Sequence, residues 1–295
     1  MTIIKKHEFP PATLPNEPVG IGLRHPYYQD VLETDLDLGW LEVHPENYFG
    51  GGAPRHFLSE ARKNYQLSFH AVGLSLGSDQ PVREEHLRQF KELIDIFDPF
   101  TISDHVSWSA SGNAHLNDLL PLPYTQETLD RLCRNIDQTQ DYFGRSILVE
   151  NPSTYVAFAE NDMSESAFMN KIATMTGCGI LLDINNIFVQ AFNHGHDPFE
   201  YIDCIDTDKV AEMHLAGHTE HEAGVRTILI DTHNRPVRSE VWDLYEHAVR
   251  RFGCIPTLIE WDQDFPSLTA LVAEAEKARD VVRRVQMENM SDAAE

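Results

Sequence analysis

The stretch that decides the fold is Gly179-Ile180-Leu181-Leu182-Asp183-Ile184-Asn185-Asn186. Small and apolar residues run straight into a carboxylate and two amides. A short apolar run ended by turn-forming residues reads as a buried strand. Its polar end then stands at the C-terminal edge of a sheet, where parallel α/β proteins bind their ligands.

Working outward, the same pattern recurs along the chain. Strands are predicted at Val19–Leu23, Trp40–His44, Leu67–His70, Phe100–His105, Ile147–Asn151, Val210–Leu215 and Pro256–Asp262. Helical spacing of apolar residues fills the gaps. Helices are predicted at about Pro26–Leu36, Arg55–Tyr65, Glu84–Phe97, Gln126–Phe143, Ser164–Thr176, Phe199–Ile205, Ser239–Arg251 and Ser267–Arg284. Eight strand-then-helix units in series imply a parallel sheet closed into an α/β TIM-type (β/α)8 barrel. The domain expected is 19–285, after an extended Pro-rich lead-in at 1–18 and before a polar tail at 286–295. An open doubly wound sheet is the alternative, but no Gly-x-Gly-x-x-Gly loop opens a helix.

Composition narrows the function. With 47 Asp plus Glu against 23 Lys plus Arg among 295 residues, the net charge is −24. Such a field repels phosphate backbones and anionic lipid, so neither a nucleic-acid nor a membrane partner is expected. The four cysteines, Cys133, Cys178, Cys204 and Cys254, are scattered, which argues against a disulfide framework or thiolate zinc site. No secretory h-region and no apolar run near the roughly 20 residues of a membrane span is seen, so a cytoplasmic location is expected. Gly50-Gly51-Gly52 lacks the Lys-Ser/Thr of a phosphate loop and reads as a loop at the mouth. No Gly-x-Ser-x-Gly is present.

The predicted strand ends carry His70, Asp104-His105, Glu150-Asn151, Asp183 with Asn186, His214, and Glu260 with Asp262. A barrel brings all of them to one mouth. Burying that many carboxylates without cations is opposed by desolvation and mutual repulsion. His with Asp, Glu and Asn is a donor set for Fe, Mn or Zn. More donors than one ion needs suggest more than one ion, with Glu150 or Asp183 able to bridge. Each residue has an ordinary structural reading as well. A lone strand-end His is usually a hydrogen-bonded core residue, and Asp183 or Asn186 would serve as a helix cap. His7 and His86 read as exposed and ordinary.

The chain also resembles a known family: the multinuclear non-haem iron-dependent oxidative enzymes. The residues that carry the likeness are Gly20-Ile21-Gly22-Leu23-Arg24, Glu42-Val43-His44-Pro45-Glu46-Asn47, His70 with Gly73-Leu74-Ser75-Leu76-Gly77-Ser78, Ser103-Asp104-His105, Leu148-Val149-Glu150-Asn151, Leu182-Asp183-Ile184-Asn185-Asn186, Asn193-His194-Gly195, His214-Leu215-Ala216-Gly217-His218, Asp231-Thr232-His233 and Ile259-Glu260-Trp261-Asp262. Family members include the methanobactin-type enzyme, which forms oxazolone–thioamide groups. The chain looks most like the bufferin-type branch, whose cysteine-rich precursors serve copper homeostasis.

The resemblance implies a TIM-type barrel with two or three iron ions in mixed Fe(II)/Fe(III) states and O2 as co-substrate. By position, His70, His105, Glu150, Asp183, His214 and Glu260 match catalytic ligands of a di-iron pair bridged by Glu150. Asn186, Asp231 and His233 match a third-iron set, sharing His214 or Asp183. His194, Asp104 and Asn151 match supporting positions. The implied reaction oxidises cysteine residues of a ribosomally made precursor peptide to a heterocycle such as an oxazolone or thiooxazole, with a small partner protein recruiting the peptide. Two other classes stand beside it: a divalent-metal isomerase or hydrolase of the sugar-isomerase or endonuclease type, and a non-catalytic peptide or metal carrier.

Overall fold

A computed structural model describes residues 15, 17–111, 114–224 and 226–292. Most of the lead-in and the last three residues of the tail lie outside them. The strands are β1 (Val19–Gly22), β2 (Trp40–Val43), β3 (Gln66–His70), β4 (Thr101–His105), β5 (Trp108–Ser111), β6 (Ala114–Leu120), β7 (Leu148–Glu150), β8 (Gly179–Asp183), β9 (Val210–Leu215), β10 (Thr219–Ala223), β11 (Arg226–Ile230) and β12 (Thr257–Ile259). Eight of them close a parallel barrel in the order β1-β12-β9-β8-β7-β4-β3-β2. The expected barrel is therefore present, and each expected strand is one of its staves.

The helices are α1 (Tyr28–Glu33), α2 (Gly52–Ala61), α3 (Glu84–Phe97), α4 (Gln126–Phe143), α5 (Glu165–Thr176), α6 (Ile184–His194), α7 (Pro198–Cys204), α8 (Ser239–Phe252) and α9 (Leu268–Asp292). Their boundaries follow local chemistry. Thr125, Ser164, Asp183 and Asp197 cap α4, α5, α6 and α7 through side-chain oxygens that accept main-chain N–H groups. Helix α9 continues through 286–292, so the described part of the expected tail is helical. Among the described residues no helix is long and apolar enough to cross a membrane.

Two antiparallel hairpins, β5–β6 and β10–β11, interrupt the loops after β4 and β9. Neither is expected from the sequence reading, although Thr227-Ile228-Leu229-Ile230 of β11 is a strand-like run. Thr219–Ala223 is largely exposed and carries no apolar alternation, so it offers no signal of a half-buried strand.

Side chains alternate across each stave. One set, including Ile21, Leu41, Val43, Phe69, Ile102, Val149, Leu182, Met213 and Ile259, joins the helices in the main core. The other set faces the barrel axis. Its apolar floor is two small clusters, Trp40–Phe100–Leu258 and Leu148–Leu181–Ala211. Above that floor the axis turns polar, with Glu42, Ser68 and Glu212 fully buried.

Gly20 belongs to this inner layer. A Cβ there would lie 2.5 Å from the Trp40 indole and 2.8 Å from the Trp40 carbonyl oxygen. Gly20→Ala should therefore overpack the floor and lower stability by about 1–3 kcal/mol, read from the urea midpoint. A wild-type midpoint would show that the floor can yield.

Candidate metal centre

Strand register creates the site. His105 pairs directly with Glu150 across β4–β7, and Asp183 with His214 across β8–β9. His70 pairs with Ser103, whose hydroxyl lies 2.8 Å from His70 Nδ1. That contact turns His70 Nε2 to within 3.1 Å of Glu150 Oε2. His105 Nε2 lies 3.3 Å from the same oxygen, while its Nδ1 lies 3.3 Å from Asp104 Oδ1. Asp104 is itself anchored by the Leu74 N–H.

A second group adjoins the first. Glu260 Oε2 lies 3.2 Å from the Nδ1 atoms of both His214 and His233. His233 Nε2 is 2.7 Å from Asp231 Oδ1, which accepts a hydrogen bond from Asn185. His233 has a left-handed φ of 45°, rare outside Gly and a form of strain found at functional sites. The Asp262 N–H donates to the His233 carbonyl and helps hold that backbone.

Asp183 links the groups. β8 passes into α6 without a loop, so Asp183 Oδ1 caps the helix by accepting the Asn186 N–H at 2.6 Å. Its Oδ2 is buried and has no hydrogen-bond partner among the described residues. The helix-cap reading and the ligand reading thus use different oxygens of one carboxylate. Asn151 clamps the pair of strand ends, accepting the Asp183 N–H and donating to the Asp183 carbonyl. Asn186 donates to Glu150 Oε1 and the Asn151 carbonyl, which leaves its Oδ1 bare.

The expected donors His70, His105, Glu150, Asp183, Asn186, His214, Asp231, His233 and Glu260 therefore occupy one connected region. The combinations His70–His105–Glu150, His70–His214–Glu260 and Glu150–Asp183–His214 each offer three donor atoms within 4.8 Å of one another. Among the described residues buried Asp183 Oδ2 and Asn186 Oδ1 lack hydrogen-bond partners, while Glu150 Oε2 and His233 Nε2 meet only other members of the set, the rings of His70 and His105 and the carboxylate of Asp231. Converging oxygens and imidazole nitrogens, with buried atoms left bare among them, are what cation sites require. The residues fit a metal centre.

His194 does not reach this region. Its Nε2 is 2.9 Å from the Thr154 carbonyl, and it lines a separate cavity of about 530 Å³ with Tyr124, Glu165 and Gln190. His86, expected to be exposed, is buried with its Nε2 3.3 Å from Glu46 Oε1. The helical period places it on the inner face of α3, which its lone polar character disguises. His7 lies outside the described residues.

Sequence reading gave no role to Arg24, Glu42 and Glu212, although the first two stand in motifs of the family likeness. None stands at a strand end. Glu42 and Glu212 are lone charges within wholly buried staves, and Arg24 follows the end of β1 by two residues. Arg24 donates to Asp262 and Glu42, and Glu42 Oε2 lies 3.1 Å from His214 Nε2.

Protonation shows how tightly charge is balanced here. Burial opposes a charge on His105, but Glu150 and Asp104 outweigh it and raise its pKa to about 9. His214 and His233 are pushed well up in the same way, against burial, by Glu42 and Glu260 and by Asp231 and Glu260. Burial lifts Glu150 to about 7, and burial with Glu150 and Asp231 nearby lifts Asp183 well above the carboxylate range. Glu260 goes the other way: His233 and His214 overcome burial and hold it ionised. Burial, with His105 and His214 beside it, pushes His70 well down. Without metal, protons stand where cations would.

The mouth opens into a cavity of about 590 Å³ lined by His70, His105, Glu150, Asn186, Asp231, His233 and Glu260. Its outer wall carries Leu116, Asp118 and Leu119 of β6 together with Val72 and Tyr155. Tyr155 is fixed there by accepting the Asp231 N–H.

With this geometry in place, comparison with known proteins is decisive. Residues 18–283 match the family model described as "RiPP precursor modification enzyme MbnB/TglH/ChrH". The chain belongs to this family. A UPF0276 protein of Vibrio parahaemolyticus is 48% identical over 276 residues, covering 93% of this chain and 94% of that protein. One from Psychromonas ingrahamii is 46% identical over 263 residues, covering 88% and 92%. Solved structures similar in fold include a D-psicose 3-epimerase from Clostridium cellulolyticum, with TM-score 0.59, 11% identity, and 91% and 99% of the two chains covered. Endonuclease IV from Thermus thermophilus gives TM-score 0.56 at 16% identity, covering 92% and 99%. At such identities these likenesses establish the barrel alone.

Because cation binding must displace protons from His105 and its neighbours, affinity should rise with pH between about 7 and 9. The expected slope is about tenfold per pH unit for each proton released. Cobalt(II) titration followed by visible absorption would measure it, and a flat profile would contradict the charge balance described. Asp183→Ala should lower bound metal per chain by elemental analysis; full occupancy would remove Asp183 from the donor set.

Proposed function

We propose that this family member oxidises cysteine residues of a ribosomally synthesised precursor peptide, using O2 and two or three iron ions held at the barrel mouth. The observation that carries this reading is the connected donor set with its bare buried atoms, found in a chain whose family modifies such peptides. His70, His105 and Glu150 would hold one ion. His214, Glu260 and Asp183 would hold a second. Asn186, Asp231 and His233 complete a third position. Bound iron would supply thiolate binding and O2 activation.

The chain's own contribution is placement. Ser103 and Asp104 fix the rings of His70 and His105 through their Nδ1 atoms, leaving both Nε2 atoms toward Glu150. The cavity is open enough for a peptide side chain and part of its backbone, and Leu116, Leu119, Val72 and Tyr155 provide an apolar rim that reduces water around the reacting cysteine. Holding the cysteine Cβ close to the oxidant is worth several orders of magnitude in rate. Oxidation with rearrangement then yields a heterocycle of the oxazolone or thiooxazole kind. Exposed Leu116, Tyr155 and Val156 near the mouth suit contact with the peptide or with a small recruiting protein.

Protein purified without oxygen should contain iron and should change the mass of a cysteine-bearing precursor encoded beside its gene only after O2 is admitted. Unchanged peptides across the candidate precursors, with reductant, O2 and full iron loading, would defeat the proposal. Zinc or manganese in place of iron, with ketose epimerisation, would instead favour the sugar-isomerase class. Retained cellular function in Glu150→Ala and His105→Ala variants would favour a carrier.

A further inference from the structure

One guanidinium lies beside the donor set, against its Glu260 and two further carboxylates, Glu42 and Asp262. Arg24 is 7% exposed. Its Nε donates to Asp262 Oδ1 at 2.8 Å, one terminal nitrogen donates to Glu42 Oε1 at 3.3 Å, and the same nitrogen lies 3.7 Å from Glu260 Oε1. Its other terminal nitrogen donates to the Glu42 carbonyl. Each carboxylate turns its second oxygen to an imidazole. Glu42 Oε2 is 3.1 Å from His214 Nε2, and Asp262 Oδ2 is 3.4 Å from His233 Nδ1. Glu260 Oε2 meets both rings at Nδ1.

The backbone is shaped for this arginine. A Cβ on Gly22 would sit 2.8 Å from Arg24 Nη1 and 2.9 Å from its Cζ. Any larger residue on that inward position of β1 would push the guanidinium off its partners. An arginine serving only to neutralise buried acid needs no such cradle and no fork. This one spans a carboxylate on β2 and another past the end of β12, each facing a different ring.

We propose that Arg24 is a positioning residue of the metal centre: by gripping Glu42 and Asp262 it sets the ring orientation and tautomer of His214 and His233 together. The proposal rests on the metal-binding reading of the mouth. With Glu42 engaging His214 at Nε2, the Nδ1 of that ring is left on the side of Glu260, which lines the cavity. With Asp262, beside Glu260, accepting from His233 Nδ1–H, the Nε2 of that ring is left toward Asp231. Carboxylate partners of this kind commonly change metal affinity by about 10–100-fold. Here one residue controls two such partners, so its loss disturbs two positions at once.

The test compares wild type with Arg24→Lys, Arg24→Gln and Gly22→Ala, reconstituted without oxygen with iron-57. Iron per chain, Fe(II) affinity and the Mössbauer spectrum are measured beside thermal unfolding. Lys keeps the charge but not the two-pronged geometry; Gly22→Ala keeps the arginine but displaces it. The expected result is Fe(II) binding weakened about 10–100-fold in all three variants, with altered quadrupole doublets even in folded Arg24→Lys. Wild type without iron would sink the metal reading itself. Loaded wild type together with variants of unchanged affinity and spectrum would overturn the role of Arg24, whatever happens to their melting temperature. If Arg24→Gln does not fold, the other two variants decide the matter.

Discussion

The structure depends on confining negative charge inside a barrel. Glu42, Glu150, Asp183, Glu212 and Glu260 are all nearly inaccessible, and Asp231 and Asp262 adjoin them. Taking even one carboxylate out of water costs several kcal/mol unless a partner compensates. Among the described residues the one arginine or lysine paired with this group is Arg24. The remaining compensation comes from imidazoles that take up protons and from carboxyls that keep them. Such a balance is easily exchanged for metal cations, because cations and protons compete for the same atoms. The surrounding helices and the apolar floor of Trp40, Phe100 and Leu258 make the confinement possible, since they keep the site dry from the sides and below.

The barrel was legible because its staves are short apolar runs separated by helices of ordinary period, and because eight such units have few other closed solutions. The donor set was legible for a related reason. In a parallel barrel every strand points the same way, so a polar residue at the end of one apolar run is automatically near those at the ends of the others. His70, His105, Glu150, Asp183, His214 and Glu260 are read this way without knowing any distance.

What stayed hidden follows different physics. Glu42 and Glu212 sit within apolar strands, where a pattern search looks for hydrophobic residues and treats a charge as an interruption. Their inward direction depends on strand phase, and in β9 a register shift opposite Ile180–Leu181 alters that phase. Arg24 lies past the end of β1, and its role emerges only when Gly22 is seen to be absent side chain rather than flexible backbone. The hairpin β10–β11 did not announce itself because β10 carries no apolar alternation beside the strand-like β11, and neither did β5–β6, yet β6 builds one wall of the cavity. The strained backbone of His233 has no sequence signature, since it is imposed by contacts from Asp262 after β12.

These layers also constrain how a substrate can enter. A cysteine thiolate approaching the mouth before any metal has bound meets carboxylates of like charge at close range, in surroundings that screen poorly. A neutral thiol finds His105, His214 and His233 already protonated, with His70 and Glu260 free to take its proton. On the proposed reading, the thiolate is held by cations that have taken the place of those protons. Cations that replace those protons would add the positive charge that a thiolate needs as its partner. Arg24 does not compete with those cations: its hydrogen bonds go to Glu42 and Asp262, whose second oxygens face the rings of His214 and His233.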